Sequence, residues 1–352
     1  MPSFIKNLSP NAQRVTILFF VLVGVLLFFT TQIPNYFTPR LFVRISTSVS
    51  IIALIAVGQA VVVLTRNIDL SIGSIIGCTA YFLGGVLALY PEIPPPIVGL
   101  MAMGIGASFG LVNGFLVSRF NLPSIIVTLA TLALFRSLLV EFSDGSSITT
   151  GQLPIWLTEF ARQNMFVAGG FKVRWIVIIA LVVVFGMHIF LTRFRAGRQF
   201  YAVGSNPDAA EFAGINLKRT VLQAFIISGA LAGLAGFFFL ARFGNITVVA
   251  GQGLEFKAVG AVVVGGVNIF GGSGSIVGVL LGAIMIDVLD TSLVRWDMVS
   301  EFWREAVLGL LILFAVAMDV FLSRRLIGRK KVKIPDEQKT EPIKPDVKGD
   351  KI

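Results

Sequence analysis

The sequence predicts an all-α polytopic membrane protein of about ten transmembrane helices with an internal parallel repeat. Three observations carry that expectation. The 352 residues are 55% hydrophobic and only 14% charged, with a mean hydropathy of +0.87, whereas soluble domains carry roughly 25% charged residues. Apolar runs of about twenty residues recur, the length a helix needs to cross a hydrocarbon core of roughly 30 Å. A segment near residue 60 also returns 201 positions later. Helices follow from the solvent, because in lipid each backbone amide must bond within its own segment. A transmembrane barrel would alternate apolar and polar residues, but Val15 to Thr31 and Trp175 to Leu191 are apolar on all sides.

Glycines, prolines and charge clusters punctuate the hydropathy and place spans near 15–31, 46–65, 72–90, 97–118, 123–140, 174–192, 221–240, 256–267, 274–290 and 304–322. The first is followed by Thr30-Thr31-Gln32-Ile33-Pro34 and not by a small-residue cleavage site, so it reads as a retained helix. The eighth is too short to cross alone. Lys6 and Arg14 precede the first span, and Arg193, Arg195, Arg198, Lys218 and Arg219 separate the sixth from the seventh. Arg324, Arg325, Arg329, Lys330, Lys331 and Lys333 follow the last. The positive-inside bias then puts both termini on the cytoplasmic side. Residues 1–14 form the cytoplasmic N-terminus, 15–322 the membrane domain, and 323–352 a basic tail too polar to bury a core. This bias and the tail account for the net charge of +10, so the expected surroundings are a lipid bilayer and not nucleic acid. One cysteine, Cys78, and one histidine, His188, cannot build a disulfide framework or a His/Cys metal centre. No metal, cofactor or catalytic residue is expected.

The repeat aligns Ala60–Gly77 with Ala261–Gly278 without a gap and is identical at 10 of 18 positions, including Asn67/Asn268, Ile68/Ile269 and Gly73-Ser74-Ile75 against Gly274-Ser275-Ile276. Both copies fall between two spans, an even number of spans apart, so they point the same way. Paired breaks in corresponding halves are a pointer to a transport pathway, since unwound backbone survives in a membrane only within protein or along a cavity. Asn67, Asp69 and Asn268 lie at the breaks, and Gln59, Asn113 and Gln223 are uncharged hydrogen-bonding groups inside spans; together they are candidate pathway residues. Arg136, an ionisable residue near the end of a span, is a further candidate, whereas Asp287 and Asp319 are expected at the surface. Small residues four apart, at Gly106/Gly110/Gly114, Gly229/Gly233 and Gly274/Gly278/Gly282, provide for close helix contact.

Between the sixth and seventh spans, Asn206, Pro207, Asp208, Ala209, Ala210, Glu211, Phe212, Ala213 and Gly214 read as one short helix. Ser205 or Asn206 can serve as the N-cap, and Pro207 suits the first helical position. Asp208 and Glu211 oppose the positive end of the dipole, and Gly214 suits a left-handed stop. So short a helix needs a face buried to persist. Ala209, Ala210, Phe212 and Ala213 offer one, either to a partner or to the bundle itself.

This loop resembles the coupling helix with which permeases of ATP-binding-cassette importers dock into their ATP-binding subunits: Ala209, Ala210 and Gly214 match its Ala-Ala and Gly positions, with Asp208 where Glu is common. Thr65-Arg66-Asn67-Ile68-Asp69-Leu70-Ser71-Ile72-Gly73-Ser74, Phe200 to Gly214 and Gly265 to Gly278 resemble the ribose, xylose, arabinose and galactoside permeases of that class. Thr65 to Gly73, Gly197 to Gly204 and Gly251 to Ala258 are most similar to the branch with rhamnose and autoinducer-2 permeases. The resemblance implies an importer of two permeases, the same or homologous, with two ATP-binding subunits or one fused pair, and a periplasmic sugar-binding protein. No phosphate-binding loop of the Gly-x-x-x-x-Gly-Lys-Ser/Thr type is present, so ATP hydrolysis is expected on a separate subunit. An ion-coupled secondary transporter stays as the alternative from another class, and a branched-chain amino-acid or nucleoside permease as the alternative within this one.

Overall fold

A computed structural model describes residues 10–296 and, beyond them, 298, 300, 303, 305–307, 309, 310, 313 and 317. The expected tenth span falls mostly outside these residues, and the tail and Asp319 wholly so. Helices α1 (Pro10–Gln32), α2 (Pro39–Leu64), α3 (Ile72–Leu89), α4 (Pro95–Phe120) and α5 (Ser124–Ser143) come first. A 3-10 turn (Thr150–Gln152), a short α6 (Ile155–Arg162) and an antiparallel hairpin of β1 (Asn164–Ala168) and β2 (Phe171–Arg174) follow. The second half holds α7 (Trp175–Arg193), α8 (Arg195–Ser205), α9 (Pro207–Phe212), α10 (Leu217–Phe243), α11 (Leu254–Val264) and α12 (Ile276–Leu293).

Among the described residues, eight helices (α1 to α5, α7, α10 and α12) are long and apolar enough to cross a membrane. The polytopic helical fold is therefore as expected, and the hairpin is an addition to it. The expected eighth span is α11, whose 11 residues rise only about 16 Å at 1.5 Å each, half a bilayer. Helix α2 starts seven residues before its apolar run. Thr38 caps it by accepting from the Leu41 N–H at 3.2 Å, and Pro39 fills the first turn. Arg40 and Arg44 in those added turns hid the start from hydropathy.

Burial sorts the helices. The most apolar stretch of α2 is 94% buried, against 17% for α1 and 22% for α7, so α2 is the central post and the other two face lipid. Leu54 to Val62 are enclosed on every side, by α7, α10, α11 and α12. Helices α4 and α10 approach most closely, through glycine. A Cβ at Gly106 would overlap the Gly229 carbonyl, one at Gly110 the Phe225 carbonyl, and one at Gly233 the Ala102 carbonyl. Gly278 and Gly282 bring α12 equally close to the end of α11 at Gly265 and Ala261. Where lipid gives apolar side chains no reason to leave it, such backbone contact is what holds helices together. Gly106→Leu is accordingly expected to destabilise the bundle by at least about 3 kcal/mol, because the obstruction is backbone that cannot rotate away. A fall in the melting temperature of the purified permease checks this, and an unchanged one refutes it.

Asp287 corrects an expectation. It is 1% exposed because α12 continues to Leu293, so the residue lies within the helix and not at its end. Ser48 bonds its carboxyl, and Arg242 attracts it.

Candidate functional site

The two repeat copies form the same structural stop. In the first, Arg66 adopts a left-handed conformation (φ 65°), its N–H donates to Val63 C=O at 2.9 Å, and Asn67 N–H donates to Val62 C=O at 3.2 Å. In the second, Gly266 (φ 79°) donates to Val263 C=O at 2.9 Å and Val267 to Val262 C=O at 3.1 Å. Both are the paired bonds of a Schellman cap, one residue out of step with the sequence alignment. Gly272 N–H donates to the Leu64 carbonyl at 3.1 Å, so the two stops meet at one end of the bundle. Arg14 of α1 reaches the same end, donating to Gly266 C=O at 3.3 Å.

Unwinding at 65–71 frees backbone groups that must be paired away from water. Side chains pair them. The Gln59 carboxamide meets both the carbonyl and the N–H of Asp69, at 3.1 and 3.2 Å. Ile68 N–H donates to Ser124 Oγ at 3.1 Å, and its carbonyl accepts from Thr128 Oγ1 at 3.2 Å. Asp69 Oδ1 accepts from the N–H and the hydroxyl of Ser71, while Asn113 Nδ2 donates to Ser71 Oγ at 2.7 Å. Gln59, Asp69 and Asn113 are thus brought into one fully buried cluster around the first break. Asn67 donates to Thr65, and Asn268 accepts from Phe270 N–H at 3.0 Å to close the second break's turn. Arg136 stands apart, donating to the Val248 and Ala250 carbonyls at 2.8 and 2.7 Å and so fixing the loop before α11. Gln223 lies half-buried on α10.

The short loop helix is present as α9. Asn206 Oδ1 accepts from Ala209 N–H at 3.1 Å, and Pro207 occupies the first position. Gly214 (φ 78°) closes the end, donating to Glu211 C=O at 2.9 Å, with Ile215 N–H on Ala210 C=O at 3.0 Å. Ala210, one of the residues expected to offer an apolar face to a partner or to the bundle, is 4% exposed and packs inward. The outward face is Asp208, Ala209, Glu211, Ala213 and above all Phe212, at 93% exposure.

Sequence reasoning missed what stands behind α9. Residues 195–205 form α8, whose Gly197, Phe200, Val203 and Gly204 are buried; their spacing of three, three and one is a helical signal. The Arg66 guanidinium donates from Nε to Gly204 C=O at 2.6 Å and from Nη2 to Ser205 C=O at 2.8 Å, one residue before the α9 cap. A Cβ at Gly204 would overlap the Leu64 carbonyl and press on the Gly272 amide. The root of α9 is therefore joined to both repeat stops at once, through backbone in contact with backbone.

The protein's relatives bear on this geometry. Residues 41–316 match the family described as branched-chain amino acid transport system, permease component. The autoinducer 2 import system permease protein LsrC of Yersinia enterocolitica is 33% identical over 98% of this chain and 92% of its own length. A probable ABC transporter permease of Sinorhizobium fredii is 35% identical over 84% of this chain and 86% of its own. The fructose import permease protein FrcC of Rhizobium meliloti is 32% identical over 90% and 87%. No solved structure matches the chain significantly. With the family match spanning most of the chain and these identities running nearly end to end, the chain belongs to the family of ABC transport-system permease components.

Proposed function

We propose that this chain is the translocating subunit of an ATP-driven importer for a monosaccharide or sugar-like solute of the pentose, rhamnose or autoinducer-2 kind. The observation that carries the reading is α9: a capped helix with Phe212 bare at its C-terminal end, rooted on the two broken-helix stops. ATP hydrolysis belongs to a separate subunit in this family, which also works with a substrate-binding protein. The family description names branched-chain amino acids, but relatives covering most of the chain are named for autoinducer 2 and fructose, which supports a sugar.

Two permeases, the same or homologous, would pair with two ATP-binding subunits or one fused pair, in a bacterial inner membrane. The outward side chains between Asn206 and Gly214, without the buried Ala210, would dock, and the α9 end would face the cytoplasm, as Arg14, Arg66 and Arg193 at that end support. Closure of the ATP-binding subunits would push α9, and its rigid root would carry the displacement to the breaks. The polar cluster of Gln59, Asp69 and Asn113, with Asn67, Asn268, Arg136 and Gln223, would border the path when the bundle opens.

Reconstitution in proteoliposomes tests the reading. Uptake of the sugar bound by the cognate binding protein should require ATP and the ATP-binding subunit and should survive ionophores. Uptake driven by an ion gradient with no ATP-binding subunit present would overturn it in favour of a secondary transporter.

A further inference from the structure

The end of the bundle opposite α9 breaks the charge rule that the α9 end obeys. Around a cavity of about 670 Å³ stand Arg40 and Arg44 of α2, Arg162 of α6, Lys172 and Arg174 of β2, and Arg242 of α10. No carboxylate lines it among the described residues. An adjoining cavity of about 640 Å³ shares Arg40 and Arg44 and adds Arg295. Asp287 attracts Arg242 from inside the bundle, and Asp290 lines a neighbouring cavity with Arg44 and Arg242; among the described residues no carboxylate lies within salt-bridge distance of the basin's cations.

Stability does not account for the arrangement. Arg40 and Arg44 occupy the first turns of α2, where the helix dipole is positive and repels them. Arg174 keeps its Nε buried without a partner, so the group has lost its hydration with nothing in exchange. Burial and the neighbouring Arg162 push the Arg174 guanidinium below its usual value. On the outer side of a membrane, such a concentration of arginine also opposes the bias that orients the chain. Something of opposite sign must offset these costs.

We infer that this basic basin is the docking site for acidic side chains of the substrate-binding protein, a step that rests on the function proposed above. A translocated anion fits less well: seven cations around two joined cavities exceed the footprint of one small solute, and so strong a site would hold an ion back from moving on. A delivering protein must instead arrive fast and leave again. Complementary charge at a rim serves that need, since it raises the association rate far more than the lifetime of the complex. The hairpin beside the basin adds exposed apolar side chains at Met165, Phe166 and Val167, so the surface combines charge with contact area as protein interfaces do.

The test is the association rate between the reconstituted importer, in bilayers of neutral lipid, and the binding protein that stimulates its uptake, followed across a salt series. Arg162→Gln with Lys172→Gln, both exposed and outside the helical core, should slow association about tenfold at low salt and flatten its salt dependence. Lys218→Gln with Arg219→Gln, at the α9 end, should change neither. Oligoglutamate should compete for the wild type and oligoglutamine should not. Unchanged rates and salt slope in the Arg162/Lys172 variant would overturn the inference and leave the importer reading standing. A rate that responds to these residues only when anionic lipid is present would also overturn it and assign the cations to headgroups. Failure of any binding protein to engage the wild type at any salt would instead remove the binding-protein part of the proposed function, and this inference with it.

Discussion

Phe212→Asp is expected to abolish ATP-driven uptake while leaving the permease folded and in the membrane. The side chain is 93% exposed, so its removal costs the bundle almost nothing, and a charge there meets water. Against an ATP-binding subunit the consequence is different. Burying a phenylalanine in a groove is worth about 1.5–3 kcal/mol, and an aspartate would have to be desolvated in its place. At 1.4 kcal/mol per decade, affinity for the subunit should fall by at least about 100-fold once both effects are counted. Co-purification with the ATP-binding subunit and uptake should be lost together, with melting temperature unchanged. Phe212→Leu, which keeps most of the apolar area, should retain both. Full uptake by Phe212→Asp would refute α9 as the docking element. Ala210 is the control for the opposite reason: it is buried, so a charge there should lower stability, a different signature from uncoupling.

The difference between Phe212 and Ala210 marks the limit of the sequence. Capping signals are local, so Pro207 and Gly214 could be assigned their positions in α9 from neighbouring residues alone and the cap narrowed to Ser205 or Asn206; the structure places the first two there and makes Asn206 the cap. Which face of a two-turn helix turns inward depends on α8 and on the ends of α10, and nothing in nine residues carries that. The same division runs through the membrane domain. Long apolar runs located all eight membrane-length helices, and apart from the starts of α1 and α10 and the seven-residue earlier start of α2 their bounds fall within three residues, because the bilayer sets their length. Helix α11 was doubtful in the sequence for a physical reason that proved to be its structure, a half-length helix ending in a break. The repeat located both breaks, yet the partners that pair the backbone of the first come from Ser124, Thr128 and Asn113, more than forty residues away. Arg66 was legible only as one letter of a motif. Its left-handed backbone and its reach to α8 are tertiary facts, and a non-glycine residue held in that conformation at some cost commonly marks a site where geometry is over-determined by function.

Gly204→Val is expected to uncouple ATP hydrolysis from uptake. Any Cβ at this position overlaps the Leu64 carbonyl and crowds Gly272 N–H, both of them backbone, so no choice of rotamer relieves it. The α8 end would have to lift off the two stops, breaking the Arg66 bonds to Gly204 and Ser205 and the Gly272 bond to Leu64. The docking face of α9, which points away from this junction, would survive. The expected phenotype is therefore distinct from that of Phe212→Asp: the ATP-binding subunit still co-purifies and hydrolyses ATP, but uptake per ATP falls by at least about tenfold because the push no longer reaches the breaks. Arg66→Lys separates packing from hydrogen bonding. Lysine keeps the charge but cannot reproduce a planar fork that addresses two successive carbonyls. The loss of one charge-assisted bond, about 1.5–3 kcal/mol, should lower the uptake-to-hydrolysis ratio less severely than Gly204→Val. If both variants transport with the wild-type ratio, the junction behind α9 is a packing contact and the stroke travels by another route. If Gly204→Val loses the ATP-binding subunit as well, the root of α9 determines its docking face and the two roles are one.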